Sequence, residues 1–387
     1  MESRHRLSVV IMHHPSRSEH IHDLIDACQP LPVRVVPDPD PSGPPSPLRT
    51  AKRAWAAVAD GATHHLVLQD DMIPIRGFAG HLVRAIAARP EHGISLSVQG
   101  TSPRNAYLVR RAALAGHAWA PTSIVEWTPT NGLVLPATDA RDLAVYLADI
   151  PDGLKDDDNF VTPFCAEREL PVLVTVPNLI EHGDLPSLSG FGAEGRRTVT
   201  AFDPEWSVPV DHWDRTDAGP GAAPVETGVG GLAVELRESR CGLRFFRPGT
   251  REPLEHPHTW YWHDSAALVG IDQDDVVRAW RATVADRYQD HGLAHIRPRL
   301  TLEIWAAGLL TGALSTSESG RWELDGFVAR VRHLAAASWL RLGLSKADRA
   351  ASTPEDLRVL AECLLLGYAA GRQLIVGVEG SARSHGR

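Results

Sequence analysis

The chain of 387 residues carries 39 Lys and Arg against 48 Asp and Glu, a formal charge of −9, which excludes the broadly basic surface of a general nucleic-acid binder. Hydrophobic residues at 43% and charged residues at 22% exclude wholesale disorder. The length exceeds one ordinary domain and predicts one large domain plus a smaller one.

The first expected element is the continuous apolar run Leu7–Met12, suited to a parallel strand buried on both faces. Ser18 is placed to cap a short helix ending near Cys28. A second strand over Pro32–Val36 gives way to Pro37-Asp-Pro-Asp-Pro-Ser-Gly-Pro-Pro, where neither helix nor ladder can continue. A helix over about Pro47–Ala59 precedes the strand His65–Gln69, which stops at Asp70-Asp71. Gly77–Ala88 reads as helix, Ile94–Val98 as strand, and Ala106–Val109 as a further strand. Helices over Asp139–Leu147 and from about Asp158 to Leu170 lead to a strand at Pro171–Val176. This alternation predicts an α/β fold, a mostly parallel sheet flanked by helices.

The residues from about Phe191 to Pro224 are rich in Gly, Pro and Asp and read as a boundary. Leu232–Phe246 holds two short strands. From Asp272 the pattern turns helical, with Val276, Val277, Trp280, Val284 and Tyr288 at helix spacing. Ser352-Thr-Pro-Glu355 has the form of a capping box opening a final helix to about Leu374. The expected division is 1–205, a linker with a small β region at 206–265, and a helical region at 266–380.

Lys52, Lys155 and Lys346 are the only lysines. With the richness in Ala, Pro and Gly this is a compositional bias of GC-rich coding, so arginine alone marks no site. The cysteines Cys28, Cys165, Cys241 and Cys363 are widely spaced, which predicts a reducing compartment without disulfides. No signal-peptide core follows Met1–Arg6, and no apolar run approaches the ~20 residues of a membrane span. The expected location is cytoplasmic.

Chemistry concentrates in Leu66-Val-Leu-Gln-Asp-Asp-Met-Ile-Pro74. Two carboxylates directly after a buried strand lie at the carboxyl edge of the sheet, where α/β folds bind ligands. Adjacent acids repel, and a hard divalent cation such as Mg²⁺ or Mn²⁺ relieves the repulsion. A plain turn would use the same residues. A second polar segment follows the strand at 171–176 and carries Glu181, His182 and Asp184 with Ser187 and Ser189. His182 could supply an imidazole ligand.

In these segments the chain resembles glycosyltransferases of the GT-A fold, especially bacterial family-two-like and lipopolysaccharide-type enzymes. The resemblance covers roughly residues 7–190 and rests on order and spacing. Its elements are the strand ending in Asp70-Asp71, the helix containing Arg49-Thr-Ala-Lys-Arg-Ala-Trp55, the phrase Gly77-Phe78, the acidic helix opening Asp156-Asp157-Asp158, and the loop Pro177–His182. It implies a GT-A-like sheet domain moving a sugar from a nucleoside-diphosphate sugar to an acceptor hydroxyl on a glycan, natural product or protein, with Mn²⁺ or Mg²⁺ as cofactor. Asp71 would be the principal metal ligand and His182 a second. Asp70 would contact the donor or the metal, and Gln69 stands where many relatives have an acid. The phrase Met12-His13-His14-Pro15-Ser16-Arg17 would begin the nucleotide pocket, with His13 in it, Asp38 or Asp40 would meet base or ribose, and Arg49 and Arg53 the diphosphate. Asp157, with Asp158 next, would be the base of an inverting reaction, although acids at a helix start also complement the macrodipole. Trp119 and Trp127 would border the sugar and acceptor pocket unless buried in the core.

Two other readings compete with it. A nucleotidyltransferase needs a glycine-rich phosphate loop after the first strand, and His13-His-Pro-Ser-Arg17 has no glycine. A catalytically degenerate scaffold is suggested only by Gln69. Glu255-His-Pro-His-Thr-Trp-Tyr-Trp-His-Asp264 reads as an aromatic loop packed against the first domain rather than a zinc site. The C-terminal helices would serve as an acceptor lid, a self-association surface or a partner-docking module.

Overall fold

The computed structural model describes residues 5–19, 21–123, 125–186, 188, 197–214, 231–250, 252–257, 259–284, 295–315 and 326–384, with side chains described to 374. The expected features at Ser187, Ser189, His258 and Tyr288 lie outside these residues. The chain forms two compact units, Met1–Gln99 with Ala118–Thr216 and Gly100–His117 with Asp217–Arg387.

In chain order the elements are β1 (Leu7–His13), α1 (Ile21–Ala27), β2 (Val33–Pro37), α2 (Pro47–Trp55), β3 (His64–Gln69), β4 (Met72–Pro74), α3 (Phe78–Ala88), β5 (Gly93–Ser95) and α4 (Asn105–Ala115). Then follow β6 (Trp119–Pro121), β7 (Gly132–Pro136), α5 (Ala137–Ala148), α6 (Asp158–Glu167), β8 (Val172–Thr175), β9 (Ile180–His182), β10 (Leu232–Arg237) and β11 (Arg240–Phe245). The C-terminal series is α7 (Trp262–Ser265), α8 (Gln273–Thr283), α9 (Pro298–Ala313), α10 (Gly326–Gly343), α11 (Lys346–Ala351) and α12 (Pro354–Ser384).

The first unit is built on a seven-stranded sheet in the order β2-β1-β3-β7-β5-β8-β6. β1 pairs in parallel with both β2 and β3, and β5 with β8. β7 enters antiparallel between β3 and β5, and β6 runs antiparallel to β8 at the edge. The expected α/β class and mostly parallel sheet are therefore present. β1 is apolar throughout because both its faces are covered: Val10 and Met12 join Leu48, Trp55, Leu143, Leu147 and Phe164 from the helices on one side. Val9 and Ile11 are buried as well, and alternation along the strand turns them to the opposite face. β4 and β9 form a separate two-stranded sheet pairing Met72 with His182 and Ile73 with Glu181.

Three local readings are corrected. Ala106–Val109 is helix, within α4: the residues around the short apolar run are the helix formers Ala, Leu and Arg, and Gly116 closes the helix in the left-handed region at φ 85°. Ser18 does not cap α1, because its hydroxyl donates to the Pro15 carbonyl at 2.8 Å and closes a 3-10 turn over Pro15–Arg17. The last capping box is shifted by one residue. The Asp356 N–H donates to Thr353 Oγ1 at 3.1 Å, and the Thr353 N–H donates to Asp356 Oδ2 at 2.8 Å.

The second unit packs the β10–β11 hairpin with α9, α10 and α12 in one cluster that includes Phe245, Trp305, Trp339 and Leu364. The aromatic loop at 255–264 belongs to this packing: Trp262 is buried in the cluster and Trp260 meets the Phe245 ring edge-on at 5.1 Å. It therefore seats on its own unit's hairpin, which corrects the expected partner. All four cysteines are buried and unpaired. Burial pushes the Cys28, Cys165 and Cys363 thiols up to about 12, which leaves them unreactive. No described helix is long and apolar enough to cross a membrane.

α9 and α12 approach so closely that their backbones touch. A Cβ on Gly308 would lie 2.0 Å from the Leu364 carbonyl oxygen, and one on Gly312 2.2 Å from that of Tyr368. Reciprocally, a Cβ on Gly367 would lie 2.1 Å from the Trp305 oxygen, and one on Gly371 2.0 Å from that of Leu309. Backbone cannot yield as a flexible side chain does. Gly367→Ala is therefore expected to destabilise the protein by about 1–3 kcal/mol despite alanine's better helix propensity. Urea unfolding checks this, with Gly153→Ala, in open space, as the neutral comparison.

Candidate functional site

The carboxyl edge of the parallel strands gathers most of the residues singled out from the sequence. β1 ends at His13, the Asp-Pro loop follows β2, Asp70 and Asp71 follow β3, and Asn131 accepts the Gln69 N–H at 3.0 Å just before β7. β9 brings His182 opposite Met72. The Gly183 N–H extends this pairing by donating to the Asp71 carbonyl at 2.7 Å. A Cβ at Gly183 would stand 2.8 Å from that oxygen, so the close approach requires glycine there.

Asp70 and Asp71 are each 6% exposed. Their charges are met by the protein itself. Arg17 Nη1 donates to Asp70 Oδ1 and to Asp71 Oδ2, both at 2.8 Å, and Arg17 Nη2 donates to the Pro186 carbonyl at 2.8 Å. Asp70 Oδ2 accepts the His14 N–H at 2.7 Å and lies 3.2 Å from His13 Nδ1. Asp71 Oδ1 is different: it is buried and has no hydrogen-bond partner among the described residues.

His182 adds a second acceptor. Arg197 Nη1 lies 3.2 Å from its Nε2, and its Nδ1 lies 3.0 Å from the Gly183 carbonyl. An arginine can only donate, so the network assigns the proton to Nδ1, and the Nε2 lone pair accepts from Arg197, which an ion at that nitrogen would have to displace. That nitrogen lies 3.6 Å from Asp71 Oδ2. The pair of carboxylate oxygens and one imidazole fits a hard or borderline divalent cation, and the partnerless Asp71 Oδ1 is the observation that supports the fit. Among the described residues no three His, Cys, Asp or Glu side chains converge as a preformed cage. An ion held by Asp71, Asp70 and His182 would complete its shell with water and substrate oxygens.

Of the two basic residues proposed for a diphosphate, Arg49 has protein partners. Arg49 grips Asp38 with two hydrogen bonds of 2.8 Å and donates to the carbonyls of Asp40 and Pro44. Burial pushes the Asp38 carboxyl up, but the Arg49 hydrogen bonds, the Asp40 N–H and the nearby positive charges together outweigh it, and the net shift is downward. Arg49 therefore shapes the Asp-Pro loop, and Asp40 is held through its backbone with its carboxylate at the rim. Lys52 donates to Asp152 Oδ1 at 2.7 Å and to the Ile150 carbonyl. Arg53 is exposed in the last turn of α2 and is not drawn into this group. Trp119 is fully buried against Trp213, 5.4 Å away, so it is a core residue and no sugar platform.

Asp157 sits at the N-cap of α6 without capping it. Its carboxylate is 4% exposed and accepts from Thr130 Oγ1 at 3.3 Å, which ties it to the segment that pairs with Gln69. Burial, and then the neighbouring Asp158 charge, push its pKa up to about 7. Asp158 is half-buried in the first turn of α6. The role of Arg17 was invisible in the sequence, since its partners lie 53 and 54 positions away. A basic residue just after a strand that neighbours an acid-terminated strand was the available signal.

No protein-family model matches the chain, and no curated protein is significantly similar to it.

The raised Asp157 pKa has a stability consequence whose sign is fixed by linkage. As pH rises from about 4 to about 7 the unfolded carboxyl ionises while the folded one stays protonated, so native stability falls and then levels off. Asp157→Asn cannot ionise. The variant is expected to exceed the parent by about 2–4 kcal/mol at pH 8, with the gap closing below pH 4. Urea midpoints across that range read it, and a pH-independent difference contradicts the assignment.

Proposed function

We propose that the first unit is a GT-A-like glycosyltransferase that moves a sugar from a nucleoside-diphosphate sugar to an acceptor hydroxyl with inversion. The observation that carries this reading is the meeting, at one sheet edge, of a carboxylate pair with a partnerless buried oxygen and a buried aspartate poised near neutrality. A bound Mn²⁺ or Mg²⁺ would neutralise charge on the diphosphate leaving group. Asp71, Asp70 and His182 would hold it, and the His14 N–H on Asp70 Oδ2 would keep that carboxylate oriented.

Asp157 suits the base. A carboxylate that titrates near 7 takes a hydroxyl proton more readily than one titrating near 4, and its burial excludes competing water. The nucleotide would lie across the ends of β1 and β2, where the Arg49–Asp38 pair shapes the wall. A second reading, a transferase-like scaffold without catalysis, is favoured by one observation: Arg17 already neutralises the acids, and Arg49 and Lys52 are already paired.

Thermal-shift screening of UDP-, GDP-, dTDP- and CMP-sugars with and without Mn²⁺ separates the two, because a ligand bound only by the native state raises the midpoint. A metal-dependent shift with one donor is expected. Asp71→Asn should abolish it without lowering the unliganded midpoint. Asp157→Asn should keep it and reduce turnover by roughly 10²–10⁴-fold. If no donor shifts the midpoint, the scaffold reading stands.

A further inference from the structure

We propose that Arg17 is an internal counter-ion that occupies the Asp70–Asp71 pair in the resting protein and must release it before a divalent cation is bound. The inference rests on the metal-dependent reading above and goes beyond it, because it assigns a positioning role to a residue outside the expected ligand set.

The geometry carries it. One nitrogen, Arg17 Nη1, serves both carboxylates at 2.8 Å. A cation bridging those same two oxygens therefore competes with the guanidinium for them. The other oxygens offer no bridging alternative: Asp70 Oδ2 holds the His14 N–H and faces His13 Nδ1, which leaves Asp71 Oδ1 alone without a partner. The competition is uneven in charge. The one guanidinium in contact with both carboxylates brings a single charge where a divalent ion brings two, Arg197 standing farther off against His182, and in a site this buried the attraction is little screened.

Arg17 is also built to leave. Its side chain is 11% exposed, against 6% and 4% for the two carboxylates, so it keeps more contact with solvent than they do. It is carried on a three-residue 3-10 turn rather than on a long element. Its remaining hydrogen bond is to the Pro186 carbonyl, beyond β9. Release thus frees the acids and a guanidinium together, and the guanidinium is then available to a phosphate oxygen of the incoming donor. Cation and donor would bind cooperatively, since each favours the open state.

The test compares the full chain with Arg17→Gln and Arg17→Lys, using Mn²⁺ alone followed by electron paramagnetic resonance and calorimetry. If the closed pair outweighs the open one by ten to one, Arg17→Gln should bind free Mn²⁺ about tenfold more tightly than the parent. The lysine variant, which has charge without a fork, should fall between them. In EDTA the glutamine variant should melt several degrees lower, because two buried carboxylates lose their counter-ion, and Mn²⁺ should restore it. Equal or weaker Mn²⁺ binding by both variants, with the parent still binding a nucleotide sugar in a Mn²⁺-dependent way, overturns the proposal and leaves the enzymatic reading standing. If none of the proteins binds Mn²⁺, with or without nucleotide sugar, the proposal and the metal-dependent reading fall together.

Discussion

Two carboxylates on successive residues at the buried end of a strand repel each other and have lost most of their water, and a fold that keeps them must bring compensation from several directions. Here the compensation comes from the turn after β1, through the His14 N–H and the Arg17 guanidinium. The loop beyond β9 joins through Pro186, which accepts from the same arginine. The β4–β9 pairing holds the Asp71 backbone from the other side. Parallel pairing of β1 with β3 makes this convergence possible, because it ends both strands at one edge. The site geometry is thus a solution to an electrostatic problem that the sheet creates.

Much of that edge could be read from residues alone. β3 is legible because a continuous apolar run stops abruptly at two acids, and β1 because it is apolar on both faces. What could not be read is who answers the acids. Arg17 resembles any other arginine in a chain that hardly uses lysine, and only the register of β1 on β3 reveals its partners. Arg49 shows the same limit: its helix position was clear, but its commitment to Asp38 depends on how the Asp-Pro loop folds back. The run Asp156-Asp157-Asp158 shows adjacent acids to a reader of the sequence, but burial, which the sequence does not show, is the larger cause of the Asp157 shift.

Local errors also had physical origins. A four-residue apolar run such as Ala106–Val109 carries no period long enough to separate strand from helix, and the flanking residues decided for helix. In Ser352-Thr353 two adjacent hydroxyls could each open a box; Asp356 selected Thr353, and it also meets His295. The glycines of α9 and α12 were unremarkable as composition. They acquire meaning only when four of them are found at one backbone-to-backbone crossing.

The second unit is discontinuous in sequence, since α4 belongs with α10 and β10 although the sheet strands β6 to β9 intervene. During synthesis α4 emerges roughly two hundred residues before α10 does, so its apolar side waits through the translation of most of the chain. At a typical 5–20 residues per second that interval is about 10–40 seconds. Throughout it Tyr107 and Leu114, destined for the second core, are open to whatever nascent-chain chaperone or misplaced strand arrives first. The final helices thus act late, as the closure that ends a period of vulnerability opened near residue 105.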